Sequence, residues 1–367
     1  MRQVVVVGAG VVGCAIANEV ASSQGYECVV LEKGPRVGEG VSSRNSGVIH
    51  AGLYYPPQSL KANLCIEGHK LLIDWCKKKN ISHQICGKWI VATKDEIPDL
   101  EELFENAKNS GAKGIELSSS KKLAEAFRNN DIKSDQIKAA IFSKNTGVVD
   151  AAELTQSLRL SAEQNGAQFI FNAQVKNISK KNGRYAVETL RGDIEADIVT
   201  NAAGLYSDVV SNFFGSKKIT LHPCRGDYFR IKKKLKFKNL IYPVKKKNSP
   251  GLGVHLTIGL DGSLKLGPDT TYVNSKEDFS DPQDLDAKRV LFFESASRLI
   301  QGIQLEDLEY DSCGIRPKLR SRDEKNEKDF IISQDHPGFF NCVGIESPGL
   351  TAALAIAKYI RKQLKTT

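Results

Sequence analysis

Three glycines near the start of the chain, Gly8, Gly10 and Gly13, are spaced for wrapping backbone around a phosphate, and a carboxylate, Glu32, follows nineteen residues after the last of them. An apolar strand, Val4 to Val7, runs into Gly8-Ala9-Gly10-Val11-Val12-Gly13, and a second, Glu27 to Leu31, ends at Glu32. Gly8 permits the tight turn from strand to helix, Gly10 lets the backbone approach a pyrophosphate, and Gly13 allows the helix to lie close on the sheet. The start of that helix offers unpaired N–H groups to phosphate oxygens. At the strand tip, Glu32 can accept hydrogen bonds from both hydroxyls of a ribose and would repel a 2′-phosphate. The chemistry encoded is the binding of NAD or FAD. A glycine triplet alone is weak evidence, whereas strand, glycines, helix, strand and acid in register are strong.

The elements that must position this site follow from periodicity and turn chemistry. After the βαβ start comes a loop rich in Ser, Arg, Asn and Gly, from Gly38 to Gly52, then a helical pattern over Leu60 to Lys79. Ile81 to Asn145 is less regular, with a helix expected over Lys94 to Gly111. Asp150, three residues before Glu153, has the spacing of a capping arrangement for a helix reaching about Asn165. Alternating apolar residues predict strands in Gln168 to Phe171, Gln174 to Ile178 and Arg184 to Leu190, the last two joined by an Asn182-Gly183 turn. Asp197 to Asn201 enters the small-residue turn Ala202-Ala203-Gly204, a second strand-to-helix transition. From Ile219 to about Phe279 the pattern is β-rich, over Cys224 to Ile231, Leu240 to Val244, Gly253 to Ile258 and Ser263 to Gly267, and reads as an antiparallel sheet over a pocket. A helical segment, Pro282 to Ile300, a strand, Phe339 to Val343, and a long helix from Gly349 complete the chain.

At 367 residues the chain is long enough for two domains. No hinge-like linker separates them, so they are expected to interleave. No run of about 18 apolar residues is present, and the first strand begins directly after Met1, so the expected location is cytoplasmic, with contact at the inner face of a membrane as an extension. The eight cysteines form neither a CxxC pair nor a metal-ligand spacing with histidine and are expected to be buried free thiols. No metal site is expected. The net charge of +9 comes mainly from lysines in Lys77 to Lys79, Lys232 to Lys238, Lys245 to Lys247 and Lys358 to Lys365. These runs are scattered, without interleaved aromatics, which speaks against a nucleic-acid partner. Solvated faces, or attraction of anionic substrates or of an anionic membrane surface, account for them.

Several segments together resemble the FAD-dependent family that contains glycine oxidase, D-amino acid oxidase, sarcosine oxidase and glycerol-3-phosphate dehydrogenase, over nearly the whole chain. Within it, Ser42-Ser43-Arg44-Asn45-Ser46-Gly47-Val48-Ile49-His50-Ala51-Gly52-Leu53-Tyr54-Tyr55 and Ser59-Leu60-Lys61-Ala62 are similar to the L-2-hydroxyglutarate dehydrogenase branch. So are Arg225-Gly226-Asp227-Tyr228, Tyr242-Pro243-Val244, Gly253-Val254-His255-Leu256-Thr257 and Gly344-Ile345-Glu346-Ser347-Pro348-Gly349-Leu350-Thr351. The resemblance implies an α/β fold in which a Rossmann-like FAD-binding domain (residues 1-80, 145-215 and 310-367) interleaves with a mostly antiparallel β substrate-binding domain (81-144 and 216-309). It implies FAD as cofactor, and a small 2-hydroxy acid oxidised to the 2-oxo acid by hydride transfer to flavin N5.

Such chemistry needs a base for the hydroxyl proton, a clamp for the carboxylate and a substrate Cα–H facing the flavin. His255, expected in a strand of the pocket sheet, ranks first as base, with His50 as the rival because the resemblance places its loop against the flavin ring. Arg316, in Gly314-Ile315-Arg316-Pro317, corresponds to the family arginine that pairs with a substrate carboxylate, and the flanking Gly and Pro suggest a fixed loop. For a second carboxylate, Arg225, Lys318, Tyr228 and Tyr242 are candidates. The glycine motif, the start of the last helix and the resemblance together assign to the cofactor Gly8, Gly10, Val12, Gly13, Glu32, Lys33, Ser43, Arg44, Asn45, Ser46, His50, Val175, Ala203, Gly204, Gly344, Glu346, Gly349, Leu350 and Thr351, with Ser43 to Ser46 and Val175 resting on the resemblance alone. The N-terminus of the last helix would face developing negative charge on the flavin. Oxidation of an amino acid or of glycerol 3-phosphate is the competing reading within the family, and a flavoprotein without turnover is the reading outside enzymes. Oxygen, a quinone or an electron-transfer protein would take the electrons onward.

Overall fold

Apolar residues on both sides of one strand decide the architecture. In the computed structural model, which describes residues 1–128, 130–215, 218–245 and 253–364, the strand Arg2–Val7 is buried on both faces. Val4 and Val6 enter one core cluster, and Val5 and Val7 another, as the two-residue period of a strand requires. This strand lies inside a six-stranded sheet, in the order Ile331–His336, Phe339–Val343, Ile198–Asn201, Arg2–Val7, Tyr26–Leu31, Gln168–Ile170. All neighbours are parallel except the edge pair Ile331–His336 with Phe339–Val343. On one face pack the helices Val11–Ala21, Leu60–Lys79, Ala151–Gln164 and Gly349–Leu364. The other face carries the meander Val175–Lys181, Arg184–Thr189 and Gly192–Ala196, with the helix Ser207–Phe214.

A nine-stranded sheet forms the second layer. Its long hairpin-like pair is His222–Ile231 with Leu308–Lys318, in antiparallel register from His222 opposite Lys318 to Ile231 opposite Leu308. The sheet is mostly antiparallel, as expected, and the strands between His222 and Tyr272 pair with one another only in that sense; the exception is Leu240–Pro243, which runs parallel to Lys88–Ala92. Lys88–Ala92, Ile115–Ser119 and Ala139–Ser143 are strands in the region that sequence left irregular.

Local signals account for most element ends. Ser59 caps the helix Leu60–Lys79 by accepting from the Ala62 N–H, and Asn80 ends it at φ 54°. Asn182 and Gly183 both take positive φ in their turn, the geometry a tight hairpin demands. The expected capping arrangement at Asp150 is one-armed. Its carboxylate accepts from the Ala152 and Glu153 N–H groups, while Glu153 instead binds Ser82. The expected helix over Lys94 to Gly111 is a 3-10 turn, Lys94–Glu96, followed by Ile97–Asn109, and the segment expected over Pro282 to Ile300 is helical over Leu285–Ser297. All eight cysteines are free thiols. Among the described residues no helix is long and apolar enough to cross a membrane. Of the lysine runs, Lys246, Lys247 and Lys365 lie outside the described residues.

Candidate active site

A cavity of about 520 Å³ is lined from both large sheets. At one end lies the glycine turn. Gly8 has φ +103°, and a Cβ there would stand 2.6 Å from the Ala202 carbonyl oxygen, so strand ends Val7 and Asn201 can turn side by side only with glycine present. A Cβ on Gly13 would meet the Gly8 carbonyl oxygen at 1.9 Å; Gly13 lies behind the cavity and sets the helix against the turn. Gly10 caps the helix Val11–Ala21 without a side chain, leaving its first turn facing the cavity through Gly10, Val11 and Val12. Glu32 closes this end, its carboxylate accepting from the N–H groups of Ala9 (2.7 Å) and Gly34 (2.8 Å). A carboxylate has about four lone-pair sites, so capacity remains for ribose hydroxyls. A glycine-capped helix start, a glycine cradle and an anchored acid together fit a dinucleotide.

Further along, Lys33, Arg44, Asn45, Ser46, Val175, Ala203 and Gly204 also line the cavity. Ser43 does not line the cavity. Its hydroxyl bonds the Glu39 and Gly40 carbonyls. Of the Ser42-Ser43 pair it is Ser42 that lines the cavity, its Oγ accepting from the Val11 N–H at 2.9 Å; its only sequence signal was its place in the pair. The segment Lys276–Phe279 crosses this end of the cavity. Lys33 pairs with Glu277 at 3.1 Å and lies 3.7 Å over the Tyr206 ring, Lys276 pairs with Asp208, and Arg44 stacks over Phe279 at 4.2 Å.

At the other end the cavity is lined by His50, His255, Arg316, Tyr228 and Tyr242. His255 sits just before the strand Leu256–Ile258, not within it as expected. Its Nδ1 lies 2.9 Å from the Gly253 carbonyl oxygen, and its ring stacks on Tyr242 at 3.8 Å. Burial first, then repulsion from Lys88 and Arg316, lowers its pKa to about 3. His50 is lowered to about 3 as well, by burial, Lys88 and His255, and its Nε2 meets Ser347 Oγ at 3.1 Å. Thr351 lies behind the wall and accepts from the His50 N–H at 3.0 Å. Arg316 belongs to the strand Leu308–Lys318, not to a loop. Its Nε donates to the Cys224 carbonyl and its Nη2 to those of Arg225 and Asp269, with Nη1 unbonded among the described residues.

Arg225 does not line the cavity. It is buried against the Asp227 carboxylate, the carbonyls of Asp278 and Ser280, and the Tyr310 hydroxyl, and so has no fork left for a substrate. Lys318 is likewise occupied: with Lys61 it flanks Glu346, at 3.5 and 3.1 Å. Burial alone would raise the Glu346 pKa, but those two ammonium groups hold it below the usual value. Glu346, Gly349 and Leu350 line the wall at the start of the last helix, while Gly344, at φ 71°, makes the turn behind it. Sequence reasoning missed Lys88, a buried lysine whose signal was a charge opening the apolar run Trp89-Ile90-Val91-Ala92. Among the described residues no cluster of His, Cys, Asp and Glu is arranged to hold a metal ion.

Comparison with known proteins places this geometry. The family described as FAD dependent oxidoreductase matches residues 3–363. A mitochondrial L-2-hydroxyglutarate dehydrogenase of Arabidopsis thaliana is 34% identical over 97% of this chain and 82% of its own length. A glycerol 3-phosphate dehydrogenase of Caloramator mitchellensis is 32% identical over 100% of this chain and 74% of its own. The solved structure of an L-alpha-glycerophosphate oxidase from Mycoplasma pneumoniae, with FAD bound, superimposes with a TM-score of 0.88 at 26% identity, covering 99% of this chain and 94% of that one.

Proposed function

Because this chain belongs to the FAD dependent oxidoreductase family, we propose that it oxidises L-2-hydroxyglutarate, or a close L-2-hydroxy acid, to the 2-oxo acid. The observation carrying the reading is that His50, His255 and Arg316 converge on the cavity that also holds the dinucleotide turn; the Arabidopsis relative adds the substrate class. Bound FAD supplies the hydride acceptor, N5. Everything else falls to the protein.

His255 is the base. A neutral imidazole that donates Nδ1–H to the Gly253 carbonyl keeps its lone pair on Nε2, and no hydrogen bond among the described residues engages that atom. Nε2 takes the substrate hydroxyl proton, while the Tyr242 stack fixes the ring plane. His50, with its Nε2 turned to Ser347, orients the ligand instead. Arg316 holds a carboxylate through Nη1, its other nitrogens being fixed by carbonyls. Tyr228, hydrogen-bonded to Ser46 at 3.1 Å, and Tyr242 complete the wall. On this reading residues 1-80, 145-215 and 310-367 hold FAD and 81-144 with 216-309 hold the substrate, the strand Leu308–Lys318 joining both parts. The electrons pass onward to oxygen, a quinone or an electron-transfer protein.

Oxidation of glycerol 3-phosphate is the second reading, favoured by the Caloramator relative and the Mycoplasma structure. Anaerobic mixing of the yellow protein with L-2-hydroxyglutarate, its D enantiomer, glycine and glycerol 3-phosphate separates them. Rapid bleaching of the flavin by the L-hydroxy acid alone is expected. Bleaching by glycerol 3-phosphate selects the second reading, and bleaching by none leaves a flavoprotein without this turnover.

A further inference from the structure

Lys88 opens the strand Lys88–Ala92, is 0% exposed, and its Nζ has no hydrogen-bond partner. Alternation along the strand puts Trp89 and Val91 into one apolar cluster and Ile90 and Ala92 into another; Lys88 shares the side of the latter pair. There its Nζ stands 4.7 Å from the Tyr54 ring centroid and 4.6 Å from that of Tyr242. Ring faces are weak compensation for a desolvated charge. Among the described residues no carboxylate lies within ion-pair distance of it. The groups that feel Lys88 are His50, His255 and the Cys65 thiol; Glu346, the carboxylate in the cavity wall beside Arg316, is already paired with Lys61 and Lys318. Tyr242 and both histidines line the cavity, so one layer of side chains separates Lys88 from a ligand. Burial lowers its pKa to about 7.

We propose that Lys88 is the countercharge for a ligand carboxylate in this cavity, taking up a proton as that carboxylate binds and so selecting anionic 2-hydroxy acids over neutral alcohols of the same size. The inference rests on the hydroxy-acid reading above. An incoming anion favours the ammonium form, and by linkage the ammonium form favours the anion. Arg316 keeps its charge throughout, and His50 and His255 stay neutral near pH 7, so neither supplies this proton uptake.

The test is calorimetric titration of the holoenzyme with 2-oxoglutarate, and separately with pyruvate, at about pH 7.5 in buffers of different ionisation enthalpy. Net proton uptake is expected, with a Kd that rises as pH climbs past 7. Lys88→Met should abolish the uptake, weaken binding by about tenfold and flatten its pH dependence. Lys88→Arg should bind without uptake. Absence of uptake in the parent, or its persistence in either variant, overturns the proposal; should one variant not fold, the other and the parent decide. If pyruvate binds with Lys88-dependent uptake and 2-oxoglutarate does not bind, the five-carbon substrate assignment fails and the role of Lys88 stands. If neither binds, both fall.

Discussion

The Tyr242 and His255 rings lie face to face, with centroids 3.8 Å apart and planes 25° from parallel, so the wall of the cavity itself sets the direction of the imidazole. If His255 accepts the substrate proton, His255→Ala should slow flavin reduction by roughly 10² to 10⁴ with the flavin still bound. Stopped-flow reduction measured beside the flavin-to-protein ratio checks this. Normal reduction in that variant would transfer the role to His50.

Carbonyls hold the Arg316 guanidinium through Nε and Nη2 and leave Nη1 for the ligand, whereas a lysine offers a point charge on a flexible stem without that anchoring. Arg316→Lys should raise KM by about tenfold or more while kcat changes less, because the carboxylate contact is made in substrate and transition state alike. Steady-state kinetics with an unchanged KM would remove Arg316 from the clamp.

Both cavity histidines carry pKa values lowered from 6.5 to about 3. As pH falls below about 6.5 the unfolded chain binds protons there that the folded chain refuses, so stability must decline with falling pH. Paired carboxylates such as Glu346, whose folded pKa is also lowered, begin to contribute only below their ordinary range near 4.5. Denaturant unfolding between about pH 6.5 and 4.5 therefore isolates the histidines. His255→Asn should flatten the slope in that window, and an unaltered slope would mean that His255 is not held neutral.

At Gly8, φ is +103° and any Cβ stands 2.6 Å from the Ala202 carbonyl oxygen. Gly8→Ala must push the two strand ends apart where the dinucleotide turn is built. The expected product is a folded protein purified with severalfold less flavin per chain; full flavin content would show that the turn tolerates the displacement.

How much of this was written in the sequence differs by element. The helix Leu60–Lys79 and the strand Phe339–Val343 were legible to the residue, because capping and apolar runs are local signals. Arg316 was misplaced in a loop for a physical reason. Gly314 and Pro317 read as breakers, but Gly314 is there because a Cβ would stand 2.2 Å from the Arg44 carbonyl oxygen, and Pro317 faces Pro223 in the register. Lys88–Ala92 was missed since its parallel partner, Leu240–Pro243, lies far along the chain and no turn announces the pairing. His50, His255, Arg316 and Glu32 were read as site residues from motifs, and all four line one cavity. For Arg225 the sequence left two readings open, a ligand contact or a structural tie between strands, and the second fits a guanidinium that Asp227, Tyr310 and two carbonyls already occupy.

The segment Lys276–Phe279 follows a strand of the nine-stranded sheet, yet its side chains fasten on Lys33, Arg44, Tyr206 and Asp208. These fastenings are ion pairs, a hydroxyl contact and a cation over a ring, weak singly and screened by salt where exposed. The dinucleotide end is thus shut by a clasp instead of a packed core. Release of the cofactor, followed across ionic strength, is therefore expected to quicken with salt under conditions where the fold stays intact.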